Sequence, residues 1–71
     1  MELHQPRIIR LPEVIHRTGL SRSSVYSRIK ASDFPAPVPL GDGRAVGFIE
    51  REVSQWIESL ASTRSTPQPA L

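Results

Sequence analysis

Four residues, Thr18-Gly19-Leu20-Ser21, constrain this chain more than any other stretch. They interrupt a segment, LPEVIHRTGLSRSSVYSRIK from 11 to 30, that otherwise reads as helix. Glycine suits the left-handed residue that ends a helix, and serine is a favoured N-cap whose oxygen accepts a hydrogen bond from the first turn. The segment therefore reads as two short helices around a tight turn. Pro12 opens the first, since a proline at the first helical position gives up an N–H that has no partner there. Glu13 in its first turn and Arg17 in its last complement the helix dipole, and Val14 and Ile15 point to the core. The second helix runs from the Ser21 cap to about Ala31. Val25 and Ile29, four residues apart, form its buried stripe, with Leu20 just before the cap. Neither helix is long enough to stand alone, so both depend on packing.

Opposite that stripe the second helix carries Ser23, Tyr26, Ser27 and Lys30, with Arg22 and Arg28 on its flanks. Such a face does not suit a core, and it does suit bases and phosphates. Two helices in this arrangement form a helix-turn-helix, in which the second helix enters the major groove of DNA. The formal net charge of the 71 residues is only +2, which by itself says little. Its distribution says more. From residue 7 to 30, six basic residues (Arg7, Arg10, Arg17, Arg22, Arg28, Lys30) stand against one acid, Glu13, for a segment charge of +5. Residues 31 to 71 sum to −2, with three arginines against five acids. A local positive footprint of this kind points to a phosphate backbone and makes double-stranded DNA the expected partner.

The rest of the chain completes a small domain. Residues 1–6 are polar, end in Pro6 and read as a flexible arm. Arg7 to Leu11 is either a brief strand or an extended lead-in. Prolines at 35, 37 and 39 forbid helix from Asp33 to Leu40 and hold the chain extended. The cluster Gly41-Asp42-Gly43-Arg44 is a turn, with Asp42 shaping it, and Ala45 to Phe48 returns as a strand. Pro39 places the first strand of this hairpin at an edge. A hairpin directly after a recognition helix is a wing. Ile49, Val53, Trp56, Ile57 and Leu60 form one apolar face of a last helix ending near Ser62, with Glu50 and Glu52 in its first turn. The tail 63–71 is polar, contains proline and is expected to be disordered. The expected fold is thus mainly α with a small β-hairpin: a winged helix-turn-helix of three helices and a two-stranded wing over residues 7–62.

Within that fold Ser21, Arg22, Ser23 and Ser24 open the recognition helix, where side chains meet base edges. Arg22 can bind guanine O6 and N7 with both arms, and the serines can reach bases or phosphates. Tyr26, Ser27, Arg28 and Lys30 are candidate phosphate or groove contacts, with Tyr26 equally able to pack on the wing. Arg44 at the wing tip is a candidate for the backbone or the minor groove. Trp56 belongs to the core stripe, not to a base-stacking platform. His4 and His16 have no cysteine or carboxylate cluster beside them, and cysteine is absent, so neither a disulfide nor a metal site is expected. Gly41 and Gly43 are not followed by the residues of a phosphate-binding loop, and no catalytic triad is credible here. These features argue against an enzyme and a cofactor. No apolar run approaches the roughly 20 residues of a membrane span, so a cytoplasmic protein is expected.

Four motifs together carry a family resemblance: RIIRLPEV at 7 to 14, TGLSRSSVY at 18 to 26, FPAPVPLGDGRAVGF at 34 to 48, and EREVSQWI at 50 to 57. The sequence resembles the AlpA family of prophage regulators, small proteins related to phage excisionases and more distantly to the MerR-type winged helix-turn-helix. The resemblance covers roughly residues 7 to 60. It implies a DNA-binding transcriptional regulator of prophage or mobile-element genes, such as an integrase gene. It carries a DNA-contact role onto Ser21, Arg22, Ser23, Ser24, Tyr26 and Lys30, and a wing role onto Arg44. Two departures soften the positive field near the end of the recognition helix. Family members often have arginine where this chain has Ser27, and here the arginine is at 28. They also often have a glycine and a basic residue before Phe-Pro, where this chain has Ser32-Asp33. Two other functions compete: a recombination directionality factor that bends attachment-site DNA, and a protein-interaction module on the same fold without DNA binding. A footprint this small binds weakly as a monomer, so a homodimer or cooperative neighbours on DNA are expected.

Overall fold

The computed structural model of the protein describes residues 6–41 and 43–64. Most of the expected arm, His4, Asp42 and the expected tail from residue 65 onward lie outside the described residues. The order is β1 (Ile8–Ile9), α1 (Leu11–Thr18), α2 (Arg22–Lys30), β2 (Val38–Pro39), β3 (Val46–Ile49) and α3 (Glu50–Ser62). This is the winged helix-turn-helix read from the sequence, three helices with a β-hairpin after the second.

The turn is built by the residues that demand it. Gly19 closes α1 at φ 75°, a left-handed conformation, with its N–H bonded to the carbonyl of Ile15. The Thr18 hydroxyl donates to the Val14 carbonyl at 2.8 Å and accepts the N–H of Leu20 at 3.2 Å. Ser21 caps α2, its Oγ accepting the N–H of Ser24 at 3.1 Å.

The wing is the expected two-stranded hairpin, β2 and β3, and β1 adds a third strand to its sheet, in the order β1-β3-β2, all antiparallel. Ile8 pairs with Ile49 and Ile9 with Phe48 on one side, Val38 with Gly47 and Pro39 with Val46 on the other. The segment before α1 is therefore a strand, and β3 is the centre of the sheet. β2 is an edge, which accommodates Pro39. Glycine is required at 47, because a Cβ there would run into the γ2 methyl of Ile8.

The core takes one buried residue from nearly every element: Ile9, Val14, Val25, Phe34, Phe48 and Val53. Leu11, Ile15, Leu20, Ile29, Trp56 and Ile57 pack around them. Phe34 is the hub of the aromatic contacts, edge-on to Phe48 at 6.1 Å and to Trp56 at 4.7 Å between ring centroids. The expected α3 stripe is corrected at both ends. Ile49 is the last residue of β3 and caps the helix without belonging to it. Leu60 is 47% exposed, because the thirteen-residue helix runs on past the core that its first turns cover. No helix among the described residues is long and apolar enough to cross a membrane.

The junction after α2 is closed by a pair of bonds that a left-handed residue makes possible. The N–H of Ser32 bonds to the carbonyl of Ile29 at 3.0 Å and that of Asp33 to the carbonyl of Arg28 at 2.7 Å, with Ser32 at φ 60°. Serine is strained there where glycine would not be. This accounts for the glycine that the family resemblance puts at position 32. Ser32→Gly is expected to be stabilising by up to about 1 kcal/mol, the relieved strain outweighing the extra chain entropy. A thermal melt followed by circular dichroism checks it, with a rise of roughly 4 °C or more for each kcal/mol in a domain this size. A lower midpoint would mean that the Ser32 conformation carries no strain.

Candidate nucleic-acid interface

The candidate side chains divide along the surface of α2. Ser21 and Ser23 are exposed at its start, and Tyr26, Ser27 and Lys30 are exposed along it. Because successive residues turn by 100°, Arg22 and Tyr26 share one flank and Ser24 and Arg28 the other. The first flank faces the wing. There Arg22 and Tyr26 line an open cleft with Arg44 and Val46 of the hairpin and with Arg10, Leu11 and Pro12 from the entry to α1. Tyr26, 40% exposed, thus borders the wing while keeping its outer face in solvent. On the other flank Ser23, Ser24, Ser27 and Arg28 line a shallower depression.

The basic residues fall into two sets that the sequence alone does not distinguish. Arg7, Arg17 and Arg28 are held by carboxylates. Glu50 at the start of α3 accepts from Arg7 at 3.2 Å and from Arg17 at 2.7 Å, and Arg17 also reaches Glu13 at 2.8 Å. The bond to Glu50 raises the Arg17 pKa above its ordinary value; burial opposes this and Glu13 adds to it. These pairs tie β1, α1 and α3 together, and as a network they hold geometry better than isolated surface pairs would.

Arg28 bonds to Asp33 at 2.9 Å and lies 5.7 Å from the centre of the Trp56 ring. Asp33 also accepts the Trp56 indole N–H on its carbonyl at 2.7 Å. The two departures from the family pattern, arginine at 28 and aspartate at 33, are therefore partners. They anchor the end of α2 to α3. Arg28 is not brought together with Arg22 and Arg44.

The second set is different. Among the described residues no carboxylate lies within ion-pair distance of Arg10, Arg22, Lys30 or Arg44. All four are exposed. The wing and the start of α2 thus present exposed positive charge that no acid among the described residues pairs with. Arg10 is the member absent from the sequence-based set of contacts. It lies outside the helix-turn-helix motif proper, and only the pairing of β1 with β3 carries it to the wing. His16 is exposed on α1, and among the described residues no group of three or more His, Cys, Asp or Glu is placed to hold a metal ion.

The profile of the family described as prophage CP4-57 regulatory protein (AlpA) matches residues 7–61. An uncharacterized protein of enterobacteria phage P4, ORF88, is 43% identical over 56 residues, which cover 79% of this chain and 62% of that protein. The DNA-binding transcriptional activator AlpA of Escherichia coli (strain K12) is 37% identical over 57 residues, 72% of this chain and 80% of that protein. The chain thus spans less than two thirds of the length of its phage P4 relative. No solved structure matches. The match runs from Arg7 at the entry to β1 to Ala61 in the last turn of α3, so it takes in every element of the fold, and the chain belongs to the AlpA family of prophage regulatory proteins.

Proposed function

We propose that the protein is a sequence-specific, double-stranded-DNA-binding transcriptional regulator of prophage or mobile-element genes, an integrase gene being the model target. The observation that carries this reading is the exposed cationic surface shared by the start of α2 and the wing, whose arginines have no acidic partner among the described residues. In this reading α2 enters the major groove with Ser21, Arg22, Ser23 and Ser24 at base edges. Tyr26, Ser27 and Lys30 lie along the groove wall, and Arg44 reaches the backbone from the wing. Residues 7–62 are the binding unit. The DNA-binding activator of E. coli among its relatives supports the assignment. A single module of this size buries limited surface, so useful affinity comes from two copies, as a homodimer or as neighbours on DNA.

The test is a pull-down of sheared source-genome DNA by the tagged protein at near-physiological salt, followed by sequencing. Discrete peaks at a promoter are expected. Peaks inside an attachment site would make the protein a recombination directionality factor instead. Enrichment no better than a no-protein control would leave DNA out of its function and turn attention to protein partners. Affinity for a duplex should also fall steeply with salt, as counterion release requires.

A further inference from the structure

We infer that the cleft between the entry to α1, the start of α2 and the wing is a clamp for one backbone phosphate, and that Arg10 is one of its contacts. The inference rests on the DNA-binding reading above and assigns a residue that reading leaves out.

Folding does not account for an arginine at position 10. It is the N-cap of α1, where its carbonyl accepts the N–H groups of Glu13 at 3.0 Å and Val14 at 3.1 Å, but its side chain makes no capping bond. Arginine is not among the side chains that favour this position. A cation beside the positive end of a helix also has the wrong sign for the dipole. The chain meets this cost elsewhere in no visible way, since Arg10 has no carboxylate partner among the described residues.

What Arg10 does have is company of its own charge. Arg10, Arg22 and Arg44 line one cleft although they come from three separate elements, and no acid among the described residues lines it with them. Three arginines lining one cleft, with no acid among the described residues beside them, repel one another, and an anion relieves that repulsion. The planar fork of arginine matches the paired oxygens of a phosphate. Tyr26 in the same cleft adds a hydroxyl that can donate to a phosphate oxygen. The cleft is open, and it lies between the two elements that approach DNA, so a strand passing from the groove to the wing crosses it. A phosphodiester is the ligand this arrangement fits. Its contacts position the protein without reading sequence.

The experiment compares Arg10→Gln with the parent and with Arg51→Gln, an exposed arginine of α3 that lines no part of the cleft. Fluorescence anisotropy is measured over a range of salt on a duplex taken from the pull-down and on a scrambled duplex of equal length. Arg10→Gln is expected to weaken both by the same factor, roughly fivefold, the upper end for an exposed ion pair. The slope of log affinity against log salt should become shallower by about one. Arg51→Gln should do neither. If Arg10→Gln behaves like Arg51→Gln, the clamp does not exist. A loss confined to the selected duplex would make Arg10 a base-reading residue and overturn the phosphate assignment. If the parent binds neither duplex, the DNA-binding reading itself fails.

A second measurement guards against a folding artefact. Single phosphates are replaced one at a time by neutral methylphosphonates, and the parent and Arg10→Gln are compared on each duplex. At one position the penalty of Arg10→Gln should vanish, because its phosphate partner is already neutral. A penalty that persists at every position overturns the clamp even if the variant is less stable.

Discussion

Phe48→Ala is expected to leave the chain without a cooperative unfolding transition at 25 °C. Phe48 is 1% exposed and sits on β3, the strand that both others pair with. Its register partner is Ile9, which is also buried, and its ring meets Phe34 edge-on. Truncating a buried phenylalanine costs about 3–5 kcal/mol, through lost transfer energy and the cavity left behind. A single small core with no disulfide or metal rarely supplies more than about 3–5 kcal/mol in all. The loss is thus as large as the whole stability.

The damage also spreads through the aromatic chain, since Phe34 rests on both Phe48 and Trp56. Phe48→Leu keeps most of the volume and should fold, at a cost below about 1.5 kcal/mol. Urea titration followed by circular dichroism separates the two variants. A Phe48→Ala protein that unfolds cooperatively within a few tenths of a molar of the parent would show that the sheet is not held by this residue.

What was legible in the sequence was what local chemistry decides. Gly19 and Ser21 mark the turn because each performs a backbone task within four residues of itself. The wing shows in Pro39 and the glycines around its tip. The α3 face shows in its spacing as far as Ile57. Legibility ended wherever a partner lies far along the chain. A two-residue strand has no period to read, and the partner of β1 in β3 is some 40 positions away.

The basic segment was the harder case. Arg7, Arg17 and Arg28 look in the sequence just like Arg10, Arg22 and Lys30. Only Glu50 and Asp33, supplied from outside that segment, tell them apart. The segment charge of +5 overstates the positive charge left free, since the acids that answer three of its cations come mostly from beyond residue 30. The aspartate that seemed only to weaken the positive field has a structural task at the end of α2, holding Arg28 and accepting the Trp56 indole.

That division leads to the second large effect, Arg22→Ala. Arg22 is the first residue of α2, exposed, and without an ion-pair partner among the described residues. Removing its side chain should therefore leave the stability unchanged within about 0.5 kcal/mol, since the position is exposed and the Ser21 cap stays in place. Its effect should appear on DNA instead. A bidentate arginine–guanine contact is worth roughly 1–3 kcal/mol of discrimination, or about five- to 150-fold in affinity for the preferred sequence.

The form of the loss matters more than its size. An arginine reading a base raises affinity for one sequence over its single-base variants, so its removal flattens preference at one position and leaves the other positions as they were. An arginine on a phosphate weakens every sequence alike. Anisotropy measured on a set of duplexes, each differing from the selected site by one base pair, distinguishes the two. Equal weakening across that set would move Arg22 from the groove floor into the phosphate clamp beside Arg10, and base reading would then fall to the serines of α2. A lost preference at one base pair with the salt slope almost intact would fix the start of α2 in the major groove. It would also give the orientation of the whole domain on its site, because the wing lies on the Arg22 side of the helix.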